Sequence, residues 1–246
     1  VTIAIERLLI LAGILAVWWA AAFHYGPTVV PDPPATLAAG RRLAADGTLL
    51  AALGDSALVY LSGYLAAAAA AVPLGLAMGA AGRLGKAFEP YVYALAATPR
   101  VAFVPLVIVL LGLGVEAKVF IVFLGAIMPI LVNTYAGVLA ADDELVEMAR
   151  STGAGKLRIF LHIVLPGALP FVVAGLRLGA TIGLINTVVA ELYTAVQGLG
   201  GLLALYGNTF RMAEYFAIVI TLAFAGVAVT EGLRLVEQRF ARWRTR

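Results

Sequence analysis

The chain has 246 residues, of which 63% are hydrophobic and only 13% charged, and its mean hydropathy is +1.00. A soluble domain carries roughly 25% charged residues and a disordered chain needs low hydrophobicity with high net charge, so both classes are excluded. A formal charge of +3, no cysteine and two distant histidines, His24 and His162, give no basis for disulfides, thiolate chemistry or a metal centre.

Six apolar segments follow in chain order: Leu8–Tyr25, Ala57–Ala81, Phe88–Leu113, Ala117–Leu139, Ala168–Thr194 and Tyr215–Leu235. Each is long enough for a span of about 20 residues. The chain therefore predicts an all-α membrane protein, one transmembrane domain over 1–246 with about six helices. The first segment ends in Trp18, Trp19 and Tyr25, residues that suit a membrane interface. Ala20-Ala21-Ala22 has the small residues of a leader cleavage site, but Glu6 offsets Arg7 and the basic n-region is weak. Gly63, Gly75 and Gly79 fall in the second segment, and Gly175, Gly179 and Gly183 recur every four residues in the fifth. Such small residues allow close helix packing, within the bundle or across a dimer seam. Pro99 and Pro105 interrupt the third segment, which reads as a kinked span buried among other helices.

Lysine and arginine set the orientation. With the N-terminus inside, eleven fall inside and four outside, while Arg100 and Arg177 fall within spans. Both termini are expected in the cytoplasm. The basic run at 236–246, with Arg239, Arg242, Arg244 and Arg246, is expected on the anionic inner leaflet. The basic residues read as membrane anchors, with no nucleic-acid partner.

The stretch 140–167 breaks the hydrophobicity between the fourth and fifth segments. Asp142 or Asp143 caps a short helix running Glu144–Ser151, Gly153 and Gly155 break it, and a second amphipathic piece over Lys156–Val164 ends at Pro166. This predicts a helix–turn–helix along the cytoplasmic surface. Charges inside spans are costly and point to function. Arg100 lies about 16 Å along a helix from Glu89, near mid-depth, where it can attract an anion or serve in a structural ion pair. Arg177 and Glu191 share the fifth segment, roughly 40° apart in azimuth and about 21 Å in height. They line a pathway face, or Arg177 anchors the cytoplasmic end and Glu191 ties to a neighbour. Asn186 is a further polar candidate for cross-helix bonding.

Glu147, Ala149, Gly153, Ile163, Leu165 and Pro166 match the spacing E-A-A-x3-G-x9-I-x-L-P, with Met148 replacing the first Ala. This is the EAA motif, and the chain resembles the permease subunits of binding-protein-dependent ABC importers. Further matching pieces are Pro31-Asp32-Pro33, Thr98-Pro99-Arg100, Gly112-Leu113-Gly114, Leu165-Pro166-Gly167, Ala190-Glu191-Leu192 and Gly198-Leu199-Gly200. Together they resemble the nitrate/sulfonate/taurine-type branch over roughly 31–234.

The resemblance implies the type I importer, or MetI-like, permease fold, with a coupling helix that docks into a cytoplasmic ATPase. It implies two ATPase copies, a second permease copy in a homodimer and a periplasmic substrate-binding protein, all at a bacterial inner membrane. Glu147, Ala149, Gly153, Ile163, Leu165 and Pro166 would couple to the ATPase. Arg100, Arg177 and Glu191 are the pathway candidates for a small anionic solute. ATP and Mg would sit on the partner, because no P-loop is present; Ala80–Ala87 lacks the first Gly and the final hydroxyl of one. No catalytic or metal site is expected on the chain. The alternative, a stand-alone secondary transporter or channel for a small anion, would predict inverted repeats or paired broken helices. An intramembrane enzyme would need clustered His, Asp or Glu.

Overall fold

Long apolar runs in lipid must satisfy their own backbone, which only helices and closed barrels do. The computed structural model describes residues 2–241, with side chains from Ile3 to Leu235, and its elements there are helical. Val1 and the side chains of the basic run 236–246 lie outside the described residues. Among the described residues five helices are long and apolar enough to cross a membrane, or six if one bent pair counts as a single span. They are α1 (Thr2–Tyr25), α3 (Thr48–Ala80), α6 (Val115–Leu139), α9 (Leu165–Thr194) and α11 (Met212–Ala241). The bent pair is α4 (Arg83–Ala97) and, after a 3-10 turn Arg100–Phe103, α5 (Val104–Leu111). Shorter helices are α2 (Pro33–Ala45), α7 (Asp143–Ser151), α8 (Lys156–Ile159) and α10 (Gly198–Asn208).

The chain forms two compact units, one from the residues up to Ala57 with Glu191–Ala225, the other from Leu58–Ala190 with the chain from Gly226 onward.

The second unit is built around α6. A Cβ added at Gly63 of α3 would meet the side chain of Val122 at 2.6 Å, and one at Gly75 would meet Thr134 at 2.7 Å. Gly79 faces Val138 in the same way. From α9, Gly175 faces Asn133 at 2.8 Å and Gly179 faces Ile130. Both glycine series are therefore used inside the subunit, to bring α3 and α9 against α6. Ala67, Ala71, Ala126, Ile130 and Ala180 form the resulting core, with Tyr60 and Tyr64 stacked at 5.8 Å. The Tyr64 hydroxyl donates to the Leu176 carbonyl at 3.1 Å.

The third expected span differs from its reading. The segment bends by 80°, and Pro105 sits in the first turn of α5, so it starts a helix and does not kink one. Proline is tolerated there because the first-turn N–H groups have no helical partner. Among the described residues the expected burial is not made: of α4 only Gly85 is buried, and of α5 only Val104 and Val107. Tyr91 and Val109 are 70% and 81% exposed. The second span begins at Thr48, ahead of 57, and Lys118, one of the four basic residues expected on the outside, is a buried residue of α6.

In the first unit, Asp32 caps α2 by accepting from the Ala35 N–H at 2.7 Å, with proline at the helix start. Trp18 does not simply float at an interface: its Nε1 donates to the Pro31 carbonyl at 2.9 Å and its ring stacks on Phe216. The Pro31-Asp32-Pro33 piece is thus an anchor for α1 and a start signal for α2.

Filling the glycine contacts should be costly, because overpacking a dense core costs about 1–3 kcal/mol or more. Gly63→Leu and Gly175→Leu should lower the melting midpoint of the purified protein by several degrees, or abolish its folded yield. Gly54→Ala, which meets open space, should leave the midpoint unchanged or raise it.

Candidate functional site

Residues 140–167 build two things in succession, a closed short helix and a start for α9. Asp142 is the N-cap of α7; its Oδ1 accepts from the N–H of Glu144 at 3.0 Å and of Leu145 at 3.2 Å. Asp143 and Glu144 lie in the first turn and Arg150 in the last, matching the helix dipole at both ends.

The C-terminal end explains two motif positions. Gly153 has φ +81°, and its N–H donates to the Arg150 carbonyl at 3.0 Å. The next N–H, of Ala154, reaches back to the Ala149 carbonyl at 3.0 Å. This pair of bonds is a Schellman closure, with glycine at the left-handed position. Gly153 is thus placed by backbone geometry six residues after Glu147, and Ala149 supplies the carbonyl that the closure uses. Glu147 is exposed and Ala149 half-buried. Leu145 and Met148, one helical turn apart, are 45% and 58% exposed, so α7 carries an apolar strip that the described residues leave partly uncovered.

The second half corrects the sequence reading. Pro166 does not end a surface helix. The chain turns α-helical at Lys156, widens into a π-turn over Phe160–Val164, and continues as α9 from Leu165. Helical backbone runs without interruption from Lys156 to Thr194, 39 residues. A proline interior to a regular helix removes a bond and clashes with the carbonyl four residues back. The wider turn just before Pro166 changes the bonding where that clash would fall. Ile163 and Leu165 are half-buried and Pro166 exposed at this junction.

The structure places the three intramembrane charges in different settings. Arg100 sits at the bend. One terminal nitrogen donates to the Ala96 carbonyl at 2.9 Å, closing the end of α4, and the other reaches the Gly125 carbonyl of α6 at 3.3 Å. Its Nε–H is buried with no hydrogen-bond partner among the described residues. The guanidinium has five donors, so its fork is only partly used. Gly125 also makes room for Asn186, whose Nδ2 donates to Ile182 of its own helix at 2.8 Å, an intrahelical bond where a cross-helix one was expected. Arg177 is half-buried, and its carbonyl accepts from the Thr181 hydroxyl. Glu191 is fully buried and accepts from Ser56 and from the Gly200 N–H.

Sequence reasoning missed Ser56, and it missed the Tyr135 hydroxyl, which donates to Glu89 at 3.2 Å between α6 and α4. Neither pairing leaves a local signal, since the partners stand 135 and 46 residues apart.

The family model of the binding-protein-dependent transport system inner membrane component matches residues 71–243. The chain belongs to this family. An Escherichia coli taurine transport system permease protein is 29% identical over 240 residues, covering 95% of this chain and 87% of that one. An E. coli permease named for aliphatic sulfonates transport is 32% identical over 234 residues, covering 94% and 89%. An ABC transporter permease protein of Brucella abortus is 30% identical over 221 residues, covering 90% and 88%. The chain is therefore the inner-membrane permease subunit of an ABC importer, an all-α membrane protein of five or six spans. Its family works with an ATPase and a binding protein.

The Schellman closure makes a measurable demand. A non-glycine residue in the left-handed region costs roughly 1–2 kcal/mol, and proline, locked near φ −65° and lacking an N–H, breaks the closure outright. Gly153→Ala should weaken ATP-dependent uptake several-fold, and Gly153→Pro should abolish it. The permease content of the membrane should stay unchanged in both, as read by immunoblot beside solute uptake.

Proposed function

We propose that this chain is one half of the membrane pathway of an importer for a small anionic solute of the sulfonate class, driven by a cytoplasmic ATPase through α7. The observation that carries the coupling role is the geometry of α7. A short helix is capped at one end by Asp142 and closed at the other by Gly153, and its strip of Leu145 and Met148 lacks full cover from the described residues. A groove on the ATPase supplies that cover, and Glu147, Ala149, Gly153, Ile163, Leu165 and Pro166 form the coupling set. The continuous helical backbone from Lys156 into α9 supports transmission of ATPase motion to the spans. ATP and Mg are bound by the ATPase, and the chemistry of hydrolysis is done there; this chain supplies no catalytic group.

The pathway is completed by a second copy of the chain. The 80° break between α4 and α5 interrupts the helix in an apolar segment, and irregular backbone at membrane depth is tolerated only beside protein or a water-filled cavity. A homodimer with a central path provides that protein neighbour or cavity at the break. Two ATPases serve the two permeases, and a periplasmic binding protein delivers the solute. Both termini face the cytoplasm, on the excess of basic residues. The solute class rests on the relatives named for taurine and aliphatic sulfonates, and on Arg100. A guanidinium held at a helix bend with unused donors suits bidentate binding of a sulfonate or carboxylate. Arg177 is the second pathway candidate. Glu191, fully buried, is assigned differently below.

Affinity purification of the tagged chain from detergent-solubilised host membranes tests the assembly. Two permeases with two ATPases are expected; a chain that purifies alone would overturn it. Arg100→Ala should lower uptake at least ten-fold while the complex assembles normally. Unchanged uptake would remove Arg100 from the pathway. Arg100→Lys should recover little, because a point charge does not reproduce a fork.

A further inference from the structure

Beyond the coupling segment and the Arg100 bend, a fully buried carboxylate stands without a task in transport. Glu191, in the last turn of α9, has 0% exposure. The Ser56 hydroxyl lies 2.8 Å from its Oε1 and 2.9 Å from its Oε2, and the Gly200 N–H donates to Oε2 at 2.8 Å. The Leu199 N–H donates to the Ser56 oxygen at 2.8 Å. The serine therefore passes one hydrogen to the carboxylate and receives another from the backbone.

Leu199 and Gly200 are in the first turn of α10, where N–H groups have no partner within the helix. Gln197, at the N-cap position, makes no side-chain cap bond. The cap is delivered instead from two other helices, by Ser56 of α3 and Glu191 of α9. A carboxylate at a helix N-terminus also meets the positive end of the dipole. Gly198 completes the fit: its φ is +88°, and a Cβ there would collide with the Glu191 carboxylate. Burying a carboxylate costs several kcal/mol unless its oxygens are well satisfied, so this arrangement is built to hold one geometry. The helix it holds is short. Eleven residues give about 16 Å, roughly half of a hydrocarbon core of about 30 Å.

We propose that Glu191 is the positioning residue of α10. Through Ser56 and the first-turn amides it clasps the end of α9, the adjoining part of α3 and α10 into one body, and α10 shifts in the transport cycle only with that body. Glu191 then acts on the pathway through α10 and does not itself touch the solute. This inference stands apart from the identity of the solute and from the α7 docking.

The chain has no cysteine, so Gly201→Cys supplies a unique thiol. Gly201 is a buried residue of α10, and a Cβ there meets its nearest neighbour at an ordinary 3.6 Å. Alkylation of this thiol by N-ethylmaleimide in native membranes reads the position of α10. The parent should react slowly. Adding Ser56→Ala should speed the reaction several-fold and Glu191→Gln at least ten-fold, with uptake falling in the same order and the amount of assembled complex within two-fold of the parent. Once Glu191→Gln is present, Ser56→Ala should change uptake no further. Alkylation within two-fold of the parent in both variants would overturn the proposal, as would uptake losses that multiply. If Glu191→Gln does not accumulate, Ser56→Ala decides on the same readouts. Loss of assembled complex in both variants would make the clasp a folding element only, which also contradicts it.

Discussion

The closeness of three helices is the constraint on which the second unit depends. α6 is approached from α3 at Gly63, Gly75 and Gly79, and from α9 at Gly175 and Gly179, each at distances that leave no room for a Cβ. In lipid there is little hydrophobic gain in pressing apolar helices together, so packing contacts and small residues must do it. Of the five long apolar helices, α6 is the most buried and α1 the least. Prolines within α3, α6 and α9 do not break these helices, because neighbouring helices and local adjustments re-satisfy the groups that proline frees.

What lies outside this packed set is arranged for work. α4 and α5 meet at a sharp bend, fixed to α6 by polar ties: Tyr135 to Glu89, and Arg100 to the Gly125 carbonyl. Among the described residues much of their remaining apolar surface is exposed. α7 is closed at both ends by its own sequence, with Asp142 before it and Gly153 after it, and so presents a defined helix where a longer loop would present an ensemble. The same logic recurs at α10, whose N-terminus is capped by side chains from other helices. Short helices between spans are thus fixed at their ends by hydrogen bonds and not by the width of the membrane.

The sequence made much of this legible, and the reason differs by element. The spans follow from hydropathy because the backbone must bond to itself in lipid. The cap at Asp142 and the break at Gly153 follow from local rules, and the EAA spacing carried the family. The glycine series signalled close approach but not its partner, since a small-residue pattern serves a neighbouring span and a dimer seam equally well. The extent of helix around Pro166 was misread, because a π-turn has no composition signature. Pro105 was taken for a kink although proline favours a first turn equally. α2 and α10 went unread as helices: one is short and of mixed polarity, the other rich in glycine. Ser56, Gly198 and Glu191 come together only in the folded chain, so no spacing rule finds them.

On the proposed function, solute moves through this chain only when an ATPase drives it. The most direct measurement is uptake of radiolabelled taurine into vesicles holding the purified permease, with its ATPase inside and its binding protein outside. Uptake should require ATP, the ATPase and the binding protein together. Solute movement by the permease alone, without ATP, would contradict it.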